Sequence, residues 1–255
     1  MEMKKYLIEI RQKLTENLLQ HKGKRSRYSV PNIWIAEKQN NAKVQLIKIN
    51  PPSFYLNAFD YIINQKHVPI PKDHGGKWTR DAIIYNMFVR TTCAYDHNEN
   101  GRLDLPVNPE GWRETGTFLK ATAMLPYIKS LGANTIHLLP ITSIGSDGNK
   151  GTLGSPYAIK NPYELDPNLH EPNAGLGVQE EFKFFVHSAH HLGMRVVVEF
   201  VFRTSSKDGD WVKEHPDWYY WIRENIKDRK PYHHDETEYG NPIFSQGELK
   251  KIIAD

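Results

Sequence analysis

Residues 125–141, LPYIKSLGANTIHLLPI, read as the end of a helix, a stop and a strand in direct succession. They belong to a run with helical spacing over 118–131, in which Pro126 makes a kink or begins the last turns. Gly132 stands where a helix C-cap favours glycine. The stretch 135–141, TIHLLPI, is then an apolar strand. The same texture extends outward. Upstream, 81–90 (DAIIYNMFVR) reads as a strand with a mostly apolar body. Downstream, Val178, Phe182, Phe185, Val186, Ala189 and Leu192 mark an amphipathic helix closed by Gly193. The stretch 195–202 (RVVVEFVF) follows as an almost continuously apolar strand. Strands that read this way are buried on both faces, and their alternation with helices implies a parallel sheet with crossover helices.

The three strands start at 81, 135 and 195, so each unit takes roughly 55–60 residues, long loops included. A (β/α)8 barrel needs about 250 residues for its eight units. A barrel opening at residue 81 is therefore not complete by residue 255. The expected fold is α/β: about three β/α units, the first part of a TIM (β/α)8 barrel over 79–255, preceded by an N-terminal extension over 1–78. A complete flavodoxin-like sheet is the alternative, disfavoured by the long loops and by the presence of three strands only.

The extension opens with an amphipathic helix over 4–20, carrying Leu7, Ile10, Leu14 and Leu18. From 21 to 78 the pattern is choppy. A basic cluster (Lys22, Lys24, Arg25, Arg27) reads as a solvated loop, and Pro31, Pro51, Pro52, Pro69, Pro71, Gly75 and Gly76 break short β-like pieces such as 44–49. The last residues, 248–255, look like the start of a further helix.

Composition narrows the functional classes. The chain has 255 residues, 39% hydrophobic, 25% charged and 11% aromatic, which is ordinary globular composition. A net charge of +3 without a basic stripe argues against nucleic acid as a partner. The single cysteine, Cys93, excludes an internal disulfide framework and a Cys-rich zinc site. The start has no apolar signal-peptide core, and no apolar run reaches the 18 residues of a membrane span. A soluble, cytoplasmic protein without membrane contact is expected.

Four segments resemble the alpha-amylase family, glycoside hydrolase family 13. They are IYNMFVR (84–90), LPYIKSLGANTIHLLPI (125–141), GSPYAIKNPYELDP (154–167) and GMRVVVEFVFRTSS (193–206), the last followed by WVKEHPDWYYW (211–221). They are similar to the family's opening strand, its first helix and second strand, a loop with a sugar-site aromatic residue, and its third strand with the following loop. The resemblance covers roughly 81–221, in the family's order and spacing.

This resemblance implies retaining chemistry on α-glucosidic bonds, with a nucleophile, a general acid and a third carboxylate. Two of these lie about 5–5.5 Å apart across the anomeric carbon. In the family they follow strands four, five and seven, and the nucleophile ends a Gly-x-Arg-x-Asp strand. No such motif follows residue 203, and Asp235, Glu236, Glu238 and Glu248 lack strand context. No catalytic residue is therefore assigned to this chain, and the isolated 255 residues are expected to be inactive.

What remains is sugar-site scaffolding. Where the family's third strand ends Asp-x-x-x-Asn-His, this chain has Glu199, Arg203 and Thr204. Maltosyltransferases also depart there and carry a similar Lys-Glu-His-Pro stretch, so transfer is a variant of the expected function. In the alternative reading, Glu199 is a buried strand carboxylate paired with Arg203 or Arg195. Tyr157 aligns with the family's sugar-stacking aromatic, and the alternative is a loop tyrosine covering the barrel mouth. Trp211, Trp218, Tyr219, Tyr220 and Trp221 form either a glucan platform or packing against the barrel.

Asp96, Asn98, Asn100 and Asp104, with Gly101 for a sharp turn, resemble the first half of a calcium loop. Val107 stands where that pattern has its bidentate Glu, so an ion-free turn is the alternative. Ca2+ is the one cofactor suggested; no organic cofactor is expected. His187 and His191 lie four apart on a helix, better explained by its exposed flank than by a metal. His233, His234 and Asp235 read as a polar loop. The Gly-rich stretch 145–154 lacks a phosphate-loop Lys-Ser/Thr and reads as a flexible lip of the site.

The functional expectation is an α-glucan hydrolase or transglycosidase fragment; a non-catalytic sugar-binding or interaction relative is the alternative. A three-stranded arc should leave inward faces, assigned here to Tyr85, Met87, Leu138 and Val197, without a barrel interior. The helix around Leu7–Leu18 is too short to replace five strands. An aggregation-prone chain follows from that reading.

Overall fold

The computed structural model describes residues 2–21, 28–35, 43–72, 76–147, 149 and 151–219. The basic cluster at 22–27, Tyr220, Trp221, the 233–235 loop, the acidic residues beyond it and the helix start at 248–255 lie outside the described residues.

Three parallel strands, β3 (Ile84–Met87), β4 (Thr135–Leu138) and β7 (Arg195–Val198), form a sheet in the order β3-β4-β7. Their register aligns Ile84, Thr135 and Arg195 at one end and Met87, Leu138 and Val198 at the other. The strands stand where the apolar runs put them but are four residues long. The chain turns into the short helix α3 (Val89–Thr92) directly after β3. Pro140, which has no N–H, ends the ladder beyond β4. Past Val198, the outer edge of β7 has no neighbouring strand among the described residues, and pairing stops after Glu199 N–H reaches Leu138 O at 2.9 Å.

One face of this sheet carries Tyr85, Met87, Ile136, Leu138 and Val196 onto helices α4 (Phe118–Ser130) and α5 (Val178–His191). Met87 and Leu138 are wholly buried there. This corrects the inward faces read from sequence. With a side-chain period of two, a one-residue error of phase exchanges the two faces. Of the four residues assigned inward, only Val197 shares the opposite face, with Asn86 and His137.

Two further elements depart from the sequence reading. Pro51 and Pro52 do not break structure; they are the first residues of helix α2 (Pro51–Asn64). Proline's fixed φ suits that position, and the Asn50 side chain caps the helix by accepting from Ser53 N at 3.1 Å. The sugar-loop segment contains a strand, β6 (Ile159–Leu165), paired antiparallel with β5 (Thr142–Ile144) through an irregular register.

Helix α1 (Glu2–Leu18) buries Leu7, Leu14 and Leu18. It packs with α2, α4 and α5 into one apolar cluster rather than onto the open sheet face. Phe59 of α2 meets Phe184 of α5 edge to face at 5.0 Å. A small antiparallel pair, β1 (Ser29–Pro31) and β2 (Leu46–Lys48), adds Tyr28, whose hydroxyl lies 2.6 Å from that of Tyr55. Elements on both sides of residue 78 thus share one core.

A buried polar network ties the long connections to this core. Lys120 pairs with Glu171 at 3.3 Å and donates to the carbonyls of Arg113 and Thr115. Glu181 accepts from the amides of Glu171 and Leu119. Burial pushes the carboxyls of Glu171 and Glu181 up, and Lys120 opposes this at Glu171. At Gly116 a Cβ would stand 1.7 Å from the Val89 carbonyl oxygen, so glycine alone permits this approach of the loop to α3.

Candidate functional site

The carboxyl ends of β3, β4 and β7 lie together, which is where parallel sheets build their sites. Glu199 follows β7 directly, and Tyr157 stands in the turn before β6. The Tyr157 hydroxyl donates to Glu199 Oε2 at 3.3 Å, while 43% of the tyrosine remains exposed. Burial, and after it the Glu199 carboxylate, pushes the phenol above its ordinary value. Among the described residues no ion pair joins Glu199 to Arg203 or Arg195, which corrects the salt-bridge alternative. Arg195 donates instead to Pro71 O and lies over the Trp78 ring.

Arg203 and Thr204 are exposed and do not touch that pair. They line a neighbouring open groove of about 280 Å3 together with Phe200, Phe202, Trp211 and Trp218. Trp211 and Trp218 meet edge to face at 5.6 Å, and His215 stacks on Trp218 at 3.9 Å. Trp211, Trp218 and Tyr219 all line this groove. The open sheet face adds a pair that sequence reasoning passed over: Asn86 Nδ2 lies 2.8 Å from His137 Nδ1. The register of parallel strands creates this contact, and neither residue's local sequence signals it.

The Gly-rich lip is pinned at its described start. Ser146 donates to Asp208 Oδ2 from both its amide, at 2.9 Å, and its hydroxyl, at 3.1 Å. The Ser146 amide is the main reason the Asp208 carboxyl is pushed down to about 2. A Cβ at Gly145 would meet Asp208 Oδ1 at 2.1 Å, so the clasp needs glycine there.

The turn at 96–104 brings Asp96, Asn98, Asn100 and Asp104 together through hydrogen bonds of its own. Asp96 accepts from the amides of Asn100 and Gly101, and Asp104 Oδ2 accepts from the side chains of Asn98 and Asn100. Buried Glu114, absent from the sequence reading, holds the turn from below by accepting from Asn98 N and Asp104 N. The Asn98 and Asn100 oxygens accept from the amides of Asn100 and Arg102, so the turn is closed by its own hydrogen bonds; the residue types, two carboxylates and two side-chain amides, are those a hard divalent cation takes through oxygen. Among the described residues no group of three or more His, Cys, Asp or Glu side chains is arranged to hold a metal.

His191 is buried rather than on an exposed flank. Its Nε2 donates to Gln65 O at 3.0 Å, and His187 packs against Tyr6 at 4.6 Å. Cys93 is buried, and burial pushes its thiol up to about 12, which leaves it unreactive. Among the described residues no helix is long and apolar enough to cross a membrane.

Comparison with known proteins adds ancestry to this geometry. The family model for the alpha-amylase catalytic domain matches residues 91–244. The alpha-1,4-glucan:maltose-1-phosphate maltosyltransferase of Mycolicibacterium smegmatis is 34% identical over 151 residues, which are 55% of this chain and 19% of that protein. The Myxococcus xanthus protein of the same name is 36% identical over 113 residues, 40% of this chain and 16% of its own. The chain thus spans less than a fifth of the length of these curated relatives. Among solved structures, an alpha-amylase from Lactobacillus plantarum is 30% identical, with 68% of this chain and 34% of that chain covered and a TM-score of 0.42.

Proposed function

This chain belongs to the alpha-amylase family, and we propose that its strand ends form part of a site for α-linked glucans. In this reading 79–255 is the opening part of a (β/α)8 barrel and 1–78 its N-terminal extension. Tyr157, Glu199, Arg203 and Thr204 bind substrate. The observation that carries the reading is the Tyr157–Glu199 contact at the carboxyl end of the parallel sheet. An exposed aromatic face packs on the apolar C–H face of a sugar ring, and a carboxylate beside it accepts sugar hydroxyls. The groove at Arg203 and Thr204, walled by Trp211 and Trp218, extends this surface along a chain of sugars.

The reaction is hydrolysis or glycosyl transfer with retention, by double displacement. This chain's residues bind and orient; the nucleophile and general acid are not among them, so the 255 residues alone release no reducing sugar. Relatives named for maltosyl transfer favour transfer over hydrolysis. Asp96, Asn98, Asn100 and Asp104 would hold a calcium ion, which stabilises their turn and takes no part in the chemistry. Neither an organic cofactor nor nucleic acid enters this reading, and the chain acts in the cytoplasm.

Saturation-transfer NMR of the chain with maltotetraose, against cellotetraose as control, tests this directly. Transfer to the α-linked sugar alone supports the site. Equal transfer to both, or none, overturns it.

A further inference from the structure

Arg90 is buried yet reaches the hairpin that carries Tyr157. It stands in α3, directly after β3, and only 2% of it is exposed. Its guanidinium pairs with the equally buried Asp166 and donates to the carbonyl of Leu153. Those partners bracket the turn that holds Tyr157 together with β6: Leu153 precedes Tyr157 by four residues, and Asp166 directly follows β6. Asp166 is itself fixed, with its amide donating to Ile141 O at 2.9 Å and its carboxylate capping the turn at Asn168 N. Pro156, the neighbour of Tyr157, lines a narrow crevice together with Arg90, Asp166 and Ile144.

We propose that Arg90 is a positioning residue for Tyr157: one guanidinium holds both ends of the segment 154–165, the turn with Tyr157 plus β6, and thereby sets the Tyr157–Glu199 contact. A buried ion pair is weak support for stability, because desolvation offsets the attraction; fixing a geometry is the use better suited to it. A planar guanidinium spans two acceptors at once, whereas a lysine ammonium at the end of a flexible stem does not. Burial lowers Arg90 only to about 10, so it remains a cation at neutral pH. The consequence for sugar binding rests on the glucan reading above; the effect on Tyr157 does not.

The test therefore reads Tyr157 itself. In the 255-residue chain carrying 13Cζ-labelled tyrosine, the Tyr157 phenol is titrated by NMR in the parent, Arg90→Lys and Asp166→Asn proteins. Asp166→Asn keeps a capping oxygen, so it remains informative if Arg90→Lys does not fold. Circular dichroism identifies the folded variants. The expected result is a phenol titrating above an ordinary tyrosine in the parent and moving back toward it in the folded variant, as it does in Glu199→Ala. Maltotetraose affinity should fall about tenfold alongside, the loss expected when a stacking aromatic is moved off its sugar. An unmoved Tyr157 titration in a folded variant overturns the proposal, whatever happens to sugar binding. A moved titration in a chain that binds no maltotetraose upholds the positioning role and sinks the glucan reading.

Discussion

Tyr157 and Glu199 lie 42 residues apart in sequence and come from unlike elements, an irregular hairpin and the end of an edge strand, yet the phenol reaches the carboxylate at 3.3 Å. Two separate supports make this possible. Parallel pairing of β7 with β4 fixes where Glu199 emerges, and the hairpin anchored beneath by Arg90 and Asp166 carries Tyr157 over it. The candidate site is thus built by the sheet from one side and by a connection from the other.

The shared core predicts that the extension does not unfold separately. Phe59 is wholly buried between Tyr55 and Phe184. Phe59→Ala should cost about 3–5 kcal/mol, the range for emptying a buried phenylalanine site. Urea unfolding followed by circular dichroism should still show a single transition, at lower denaturant. Two transitions, with the second unchanged from the parent, would mean that 1–78 is an independent unit.

Much of this architecture was legible beforehand, for reasons that differ by element. The three strands and the helices at 118–131 and 178–192 announce themselves because long apolar periods are imposed by burial on a large core. Helix α2 hides because Pro51 and Pro52 look like punctuation until Asn50 is recognised as a cap. Continuous apolar runs carry no phase, so the sequence does not tell which way Met87 and Leu138 face. At the site, Tyr157 and Glu199 came from the family resemblance. Arg90, Glu114 and Asp166 stayed invisible because their partners are backbone groups and side chains distant in sequence.

The clasp between Ser146 and Asp208 sets a pH signature. The Asp208 carboxyl falls from an ordinary 3.8 to about 2 in the folded chain. A lowered folded value means that the clasp contributes stability above about pH 4 and loses it as pH falls through about 2. The Ser146 amide resonance should therefore titrate with a midpoint near 2, and the transition should vanish in Asp208→Asn. A midpoint near 4 would show that the clasp does not form in solution.

Calcium gives a third prediction. Adding Ca2+ should raise the melting temperature, with a stabilisation of about 2.7 kcal/mol at a hundredfold excess over Kd. The smaller and more rigidly hydrated Mg2+ should do less. Asp96→Asn together with Asp104→Asn should abolish the shift between Ca2+ and chelator, and should lower the metal-free melt slightly because Asp96 accepts through both carboxylate oxygens. Identical melts in Ca2+ and in chelator would establish the turn as ion-free, held by its own Asn and Asp hydrogen bonds.

Isothermal titration of the chain with maltotetraose, in the parent and in Tyr157→Ala, reads whether the Tyr157–Glu199 edge is a glucan surface. Tyr157 is 43% exposed and outside the apolar core cluster, so its removal leaves the fold standing. Saturable binding by the parent is expected, weakened about tenfold or more in the variant, as loss of a stacking aromatic worth ~1.4 kcal/mol requires. Binding of equal strength in the two proteins, or none in the parent, would contradict the glucan reading.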